Sequence, residues 1–345
     1  MCGGVGVNSP TSPLPHFPTA DIDRWFEPEF YGYGTEEARR VADTNVQICG
    51  QWWNRWTQNA DASSELVQSA KCKVQGMEVR PVRELFGTQK GMCLVAGAGK
   101  SLNRNIEEVK RLADEGATVM GVDRAFAILK SEGIKPSLTL TRDASERVVD
   151  FFPMDLVEGD DVFVVSVVCS PEVFERCGVR NGEFKFRTSA LPHSPTPTLY
   201  MYSDINPFSP FWNLYYQRYG YEYAGLLSGY VVTFSLVDLV WRMGFDRVVT
   251  IGNELCYGSE DEVRAEGYRE VVRVGDGRFA NRAFHCAAGC FSLFPRMCPE
   301  VEFIDCSGGI VKDWKIKRLE DVKPQMNIDE HRLERGRILE CCGKR

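Results

Sequence analysis

Met92-Cys93-Leu94-Val95-Ala96 is a short apolar run that breaks on Gly97-Ala98-Gly99-Lys100-Ser101-Leu102, and a helix-patterned segment, Asn103 to Leu112, follows at once. The run is apolar throughout rather than alternating, as expected of a strand covered on both faces. A second apolar run, Thr118 to Val122, ends on Asp123. A strand that turns into a helix through two glycines leaves backbone N–H groups pointing outward at the helix start, a geometry suited to holding phosphate. Gly97, Gly99 and Ser101 are therefore candidate contacts for a phosphorylated ligand.

Outward from this unit the same alternation repeats. Strands are expected at 92–96, 118–122, 137–141, 162–168, 247–251 and 301–305, and helices at 102–115, 124–132, 171–177, 229–243, 260–272 and 278–294. Continuous apolar strands separated by helices predict an α/β fold: a doubly wound, mostly parallel, Rossmann-like sheet over residues 91–315, with ligands at the carboxyl ends of the strands. Residues 21–90 read as a helical N-terminal extension rich in tryptophan (Trp25, Trp52, Trp53, Trp56), with Trp52 and Trp56 on one helix face. Residues 1–20 read as a disordered lead, and 316–345 as a charged tail with a helix near Ile328 to Leu339. Between 187 and 223 prolines interleave with aromatics, from Pro192 to Tyr216, and the alternation lapses. This stretch reads either as a substrate lid or as a small hydrophobic subdomain over the sheet.

Two familiar phosphate motifs fail at the glycine turn. A P-loop needs a glycine five positions before Gly99, where the chain has Leu94; the dinucleotide fingerprint needs one three after Gly99, where it has Leu102. The acids add weight to the site. Asp123 follows the second strand and Asp143 follows the third, within Thr141-Arg142-Asp143-Ala144-Ser145, so both project from the rim that carries the glycine turn. Two carboxylates beside a phosphate site suit Mg²⁺, a hard cation that takes oxygen ligands and bridges to phosphate. The competing reading is that both acids cap helices and need no ligand.

Bulk composition narrows the class. The 345 residues carry 41 Lys and Arg against 48 Asp and Glu, a net charge of −7, which argues against nucleic acid or an anionic membrane as partner. No apolar run approaches the roughly 20 residues of a membrane span. The first residues lack the basic and apolar regions of a signal peptide, so a cytoplasmic protein is expected, with its 13 cysteines reduced. His285, Cys286, Cys290 and Cys298 lack a paired Cys-x-x-Cys and read as core packing rather than a metal site.

With Gly97 to Asn103, Asp123-Arg124-Ala125, Gly133-Ile134-Lys135-Pro136 and Asp143 in place, the chain resembles the domain shared by archaeal 6-hydroxymethylpterin diphosphokinases (MptE-like) and the Maf flagellin glycosyltransferases. The resemblance runs on through Ser228-Gly229, Gly244-Phe245, Ile251 to Tyr257 and Asp305-Cys306-Ser307-Gly308-Gly309, about residues 85–315. It implies a nucleotide (ATP or similar) and a small-molecule acceptor as partners. Gly97, Gly99, Lys100, Ser101, Ser228, Gly229, Asn253, Ser307, Gly308 and Gly309 would lie at the nucleotide, Asp123 and Asp143 at Mg²⁺, and Glu254 and Asp143 at the chemistry. The reaction implied is diphosphate transfer to a hydroxymethyl group; sugar transfer from a nucleotide-activated acidic sugar and a non-catalytic nucleotide-binding module are the alternatives. Three departures stand out. Lys100 replaces the relatives' usual proline, Asn253-Glu254 replaces their common Gln-Asp, and Arg142 and Ala144 leave Asp143 the lone acid of its element.

Overall fold

The computed structural model describes residues 54–63, 79–177, 197–205 and 224–323. The expectations for 1–20, for Trp25, Trp52 and Trp53, for 206–223 and for the helix near 328–339 lie outside the described residues.

The chain enters the sheet at β1 (Val79–Pro81) and then builds the repeat read from sequence. β2 (Met92–Ala96) leads through α1 (Lys100–Arg104) and α2 (Ile106–Asp114) to β3 (Thr118–Val122). α3 (Arg124–Ser131) then leads to β4 (Leu138–Thr141), followed by β5 (Val162–Ser166), α4 (Pro171–Arg176) and β6 (Thr198–Ile205). After β7 (Gly225–Leu227), α5 (Val232–Met243) returns the chain to β8 (Arg247–Ile251). α6 (Glu260–Ala265) and a small antiparallel hairpin of β9 (Val271–Arg273) and β10 (Phe279–Asn281) follow. α7 (Arg282–Phe291), α8 (Phe294–Met297), β11 (Glu302–Asp305) and β12 (Lys315–Ile316) complete it.

Among the described residues the main sheet has ten strands in the order β1-β6-β5-β4-β3-β2-β8-β11-β12, with β7 beside the end of β6, and every pairing in it is parallel. Alternate residues of β2 face opposite cores. Met92, Leu94 and Ala96 pack with Leu102, Val109, Leu112, Ala125 and Leu129 of α1 to α3. Cys93 and Val95 pack with Phe234, Val237 and Val240 of α5 and Phe291 of α7. The helices between β2 and β4 thus cover one face, and α5, α7 and α8 cover the other. That reversal defines a doubly wound sheet whose switch point lies between β2 and β8, where ligands bind in such folds.

Some elements differ from expectation. The stretch 278–294 is not one helix: β10 runs to Asn281, whose side chain accepts from Phe284 N–H at 2.8 Å and starts α7 there. The expected helix 260–272 ends at Ala265, and 271–273 joins the hairpin. Within the proline-rich stretch, Thr198–Ile205 is an inner strand of the sheet rather than part of a lid, with Leu199, Tyr200, Met201 and Tyr202 buried. Residues 54–63 are helical, and Trp56 and Ala60 pack into a core with Val165, Val168 and Phe174. Asn59 Nδ2 donates to the carbonyls of Ala144 and Val168, both at 3.1 Å, which fastens this helical segment beside the loop that carries Asp143.

Candidate functional site

The glycine turn and the exit of β8 meet at the switch point. Gly97 N–H donates to Ile251 O at 2.8 Å and Gly99 N–H to Gly252 O at 2.9 Å, while Ser101 Oγ accepts from Gly252 N–H at 2.9 Å. Ser101 N–H, at the start of α1, donates to Glu254 Oε1, and Arg104 Nη2 stands 4.0 Å from the same oxygen. A side chain on Gly97 would overlap the Gly252 carbonyl, one on Gly99 would overlap the Glu254 carboxylate, and one on Gly309 would overlap the Glu254 backbone. The anion at this helix start is therefore the protein's own carboxylate. These glycines are small because another strand's exit crosses them closely. Lys100 points away to an exposed ion pair with Glu262, 3.1 Å, and Glu262 also accepts from Gly258 N–H at 3.1 Å.

The acidic side of the rim lies at the ends of β3 and β4. Asp123 occupies the residue before α3, yet its side chain makes no capping bond there, so the helix-cap reading does not account for it. Its backbone is held at φ 39°, a conformation rare outside glycine, and its Oδ1 is buried with no hydrogen-bond partner among the described residues. Burial pushes its carboxyl up to about 7; a hydrogen bond from Thr141 opposes the rise and the charge of Asp143 adds to it. Asp143 Oδ1 accepts from Ser145 N–H at 2.8 Å, a local turn that leaves its other oxygen outside that bond.

Arg142, between these acids, is turned inward. Its Nε lies 2.6 Å from Oδ1 of the fully buried Asp204, and its Nη1 donates to Gly229 O at 2.8 Å. Asp204 Oδ2 in turn accepts from Ser166 Oγ. The pair ties the ends of β4, β5 and β6 to the turn before α5. Sequence reasoning missed Asp204, although it obeys the rule that found Asp123 and Asp143: it is an acid near the carboxyl end of a strand, and only the strand went unseen.

Ser228, Gly229 and Asn253 gather at the start of α5. Asn253 N–H donates to Ser307 Oγ at 3.0 Å, and Asn253 Oδ1 accepts from Thr233 Oγ1 at 2.7 Å. Ser307 N–H donates to Asp305 Oδ1 at 3.0 Å, which also accepts from Thr250 Oγ1 at 3.0 Å. Arg278 Nη1 donates to the carbonyls of Gly308 and Gly309 at 3.0 and 2.8 Å and holds that loop against the hairpin. The structure thus brings the predicted residues other than Lys100 to one edge of the sheet: Asp123 and Asp143 at β3 and β4, Gly97, Gly99, Ser101 and Glu254 where the glycine turn meets the exit of β8, and Ser228, Gly229, Asn253 and Ser307 around the start of α5.

Asp123 and Asp143 suit a hard divalent cation. Both donors are carboxylates, one has a buried oxygen without a partner among the described residues, and the charge of Asp143 adds to the cost of charging Asp123. Among the described residues the one trio of acidic, His or Cys side chains with donor atoms within 4.8 Å is Glu158, Asp160 and Asp161, at the opposite edge of the sheet. Lys130 neutralises it at 2.7 Å from Glu158 and 3.1 Å from Asp161, and Lys135 pairs with Asp160. Cys286, Cys290 and Cys298 are buried in the core over α7 and α8, and burial pushes the Cys290 and Cys298 thiols far above their ordinary range. No helix among the described residues is long and apolar enough to cross a membrane.

Comparison with known proteins agrees with this architecture. A solved MAf glycosyltransferase from Magnetospirillum magneticum AMB-1 is similar, with a TM-score of 0.54 at 16% identity over 77% of this chain. The match spans 39% of that structure's own length, and at this identity it speaks for the fold alone. Residues 69–260, more than half of the sequence, match the family described as 6-hydroxymethylpterin diphosphokinase MptE-like. They take in β1 to β8, the glycine turn, Asp123, Asp143, Ser228 and Glu254. By sequence match over the elements that build the site, and by the sheet that carries them, the chain belongs to the MptE-like family.

Proposed function

We propose that the chain is a nucleotide-using transferase that moves a diphosphate from a nucleoside triphosphate to the hydroxymethyl group of a small, pterin-like acceptor. The observation that carries this reading is the buried, unpartnered carboxylate oxygen of Asp123, with Asp143 on the next strand, at the carboxyl ends of β3 and β4 in a sheet of this family. In such a transfer the acceptor oxygen bonds to the β-phosphorus, the bond from that phosphorus to the α–β bridging oxygen breaks, and the nucleoside monophosphate leaves with that oxygen. Positioning and charge neutralisation are most of what a protein contributes. Asp123 and Asp143 would hold Mg²⁺, which when bound neutralises charge on the transferred phosphates. Glu254 would take the proton of the acceptor hydroxyl; Ser101 N–H and Arg104 hold that carboxylate in place.

A second reading, sugar transfer from a nucleotide-activated acidic sugar, is favoured by one observation. Arg142 stands where a second acid would complete a metal site at β4, and it is committed to Asp204 and Gly229. Calorimetric titration with ATP, GTP and CTP at saturating Mg²⁺ and again in EDTA separates the two. Under diphosphate transfer, Mg²⁺ tightens nucleotide binding and Asp143→Asn returns the affinity to its EDTA value. A parent protein whose nucleotide affinity ignores Mg²⁺ defeats the diphosphokinase reading. A parent that binds no nucleotide defeats both and leaves a non-catalytic module.

A further inference from the structure

α5, the longest helix among the described residues, starts without a side-chain cap. Its twelve residues are preceded by Val231, which has no polar side chain to cap the first turn, and that turn contains no acid. Ser259 caps α6 by accepting from Glu262 N–H and Asn281 caps α7, whereas α5, like the shorter α1 and α3, has neither a side-chain cap nor an acid in its first turn. A helix start left both uncapped and uncompensated carries a partial positive charge and N–H groups without acceptors.

Two buried donors stand at this helix start. Ser228 Oγ and Asn253 Nδ2 have no hydrogen-bond partner among the described residues, and their residues are 0% and 4% exposed. The amide of Asn253 cannot swing to satisfy itself, because its oxygen is held by Thr233 in the first turn of α5 and its backbone by Ser307. Its NH₂ end is thereby fixed beside the helix start. Arg142 pins the same turn through Gly229 O. The groups gathered here donate, and buried donors of this kind are rarely left without an acceptor. The glycine turn is the opposite case, since the N–H at its short helix already faces the Glu254 carboxylate, which would repel a second anion.

We propose that the start of α5, with Ser228 Oγ and Asn253 Nδ2, is an anion site that seats a phosphate group of the ligand. This deepens the nucleotide reading by naming where phosphate lies, and it can fail separately from that reading. Ser228 and Asn253 are closed from solvent in this conformation, so seating the anion moves the turn of Tyr230, Val231 and Val232, which is half-exposed.

The test uses the full chain and inorganic pyrophosphate in EDTA, titrated by calorimetry. Asn253→Asp keeps the bond to Thr233 but puts a carboxylate oxygen where the donor stood, and should weaken pyrophosphate binding about 100-fold. Ser228→Ala should weaken it roughly 10-fold with an unchanged melting temperature, because the hydroxyl it removes has no partner. Glu254→Gln should shift it less than about 3-fold. Pyrophosphate binding that survives both Asn253→Asp and Ser228→Ala overturns the assignment, as does a tenfold gain in Glu254→Gln, which would place the anion at the glycine turn. Glucuronate binding lost in the two variants, with pyrophosphate unaffected, would overturn phosphate in favour of a sugar carboxylate. Pyrophosphate bound as predicted by a parent that gains nothing from an attached nucleoside supports the anion site and counts against nucleotide use. Tight nucleotide binding unaffected by either variant does the reverse.

Discussion

Asp123→Asn should lose on the order of 10³-fold in turnover and yet be harder to unfold than the parent at pH 8. The loss follows if Asp123 helps to carry the cation that neutralises the transferred phosphates, because removing one such ligand costs several kcal/mol of transition-state stabilisation. The gain follows from burial. In the unfolded chain an aspartate titrates near 4; in the folded protein this one titrates at about 7. The folded state keeps its proton over that interval while the unfolded state gives it up, so the group's contribution to stability is intact below pH 4 and is lost as pH rises through 7. Asparagine removes the titration. Asn also tolerates the positive φ at this position, so the backbone need not move. With allowance for the partial exposure of the residue, the variant should be more stable by about 2 kcal/mol at pH 8 and equal to the parent at pH 4. Urea unfolding at the two pH values, together with single-turnover consumption of nucleoside triphosphate in the presence of a hydroxymethylpterin, tests both halves. A variant with parental turnover removes Asp123 from the reaction, and a stability difference that ignores pH removes the buried-charge argument.

Gly252→Ala should cost roughly 3–5 kcal/mol, a large share of the stability of a typical domain. Two effects combine. Gly252 has φ 71°, and the added methyl would overlap the carbonyl oxygen of Gly97 with Leu102 Cβ at 3.1 Å. The obstruction is backbone of the central strand pair, which cannot turn aside as a side-chain end can. Gly116→Ala is the control: its φ is 92° but nothing lies within 4 Å, so it should lose only about 1 kcal/mol. Equal urea midpoints for the two variants would show that backbone conformation alone, and not the crossing of the two turns, governs this glycine.

Where a strand is buried on both faces its residues announce it, and β2, β3 and β8 end where a reading of apolar runs places them. β6 escaped because its sequence, Thr198-Leu-Tyr-Met-Tyr-Ser-Asp-Ile, sits among prolines and carries the polar pair Ser203-Asp204 near its end. Of these, Asp204 is tolerated in the interior because Arg142 and Ser166 meet its carboxylate. The hairpin of β9 and β10 escaped because its strands have three residues each, and the helix pattern of the mostly apolar segment after Asn281 was carried back across the cap. At the site, the acids were legible as carboxylates at strand ends. The insertion of Glu254 into the glycine turn was not, since it depends on a strand more than 150 residues away arriving at the right height. The unsatisfied state of Ser228 and Asn253 is likewise a property of surroundings, not of a motif.

The placement of β2 has a consequence for how the chain comes off the ribosome. Cys93 pairs with Thr118 on one side and with Val248 on the other. Synthesis therefore delivers one neighbour almost at once and the second only after β3 to β7 have emerged. In the interval the growing chain can complete a parallel row from β2 outward to β6, while the far edge of Met92–Ala96, apolar along its whole length, stays bare. Bare apolar edges recruit other chains, and long-range parallel pairing is slow. A nascent chain halted before Arg247 should accordingly need a chaperone on that edge, and the crevice between β2 and β8 should be the last part of the molecule to form.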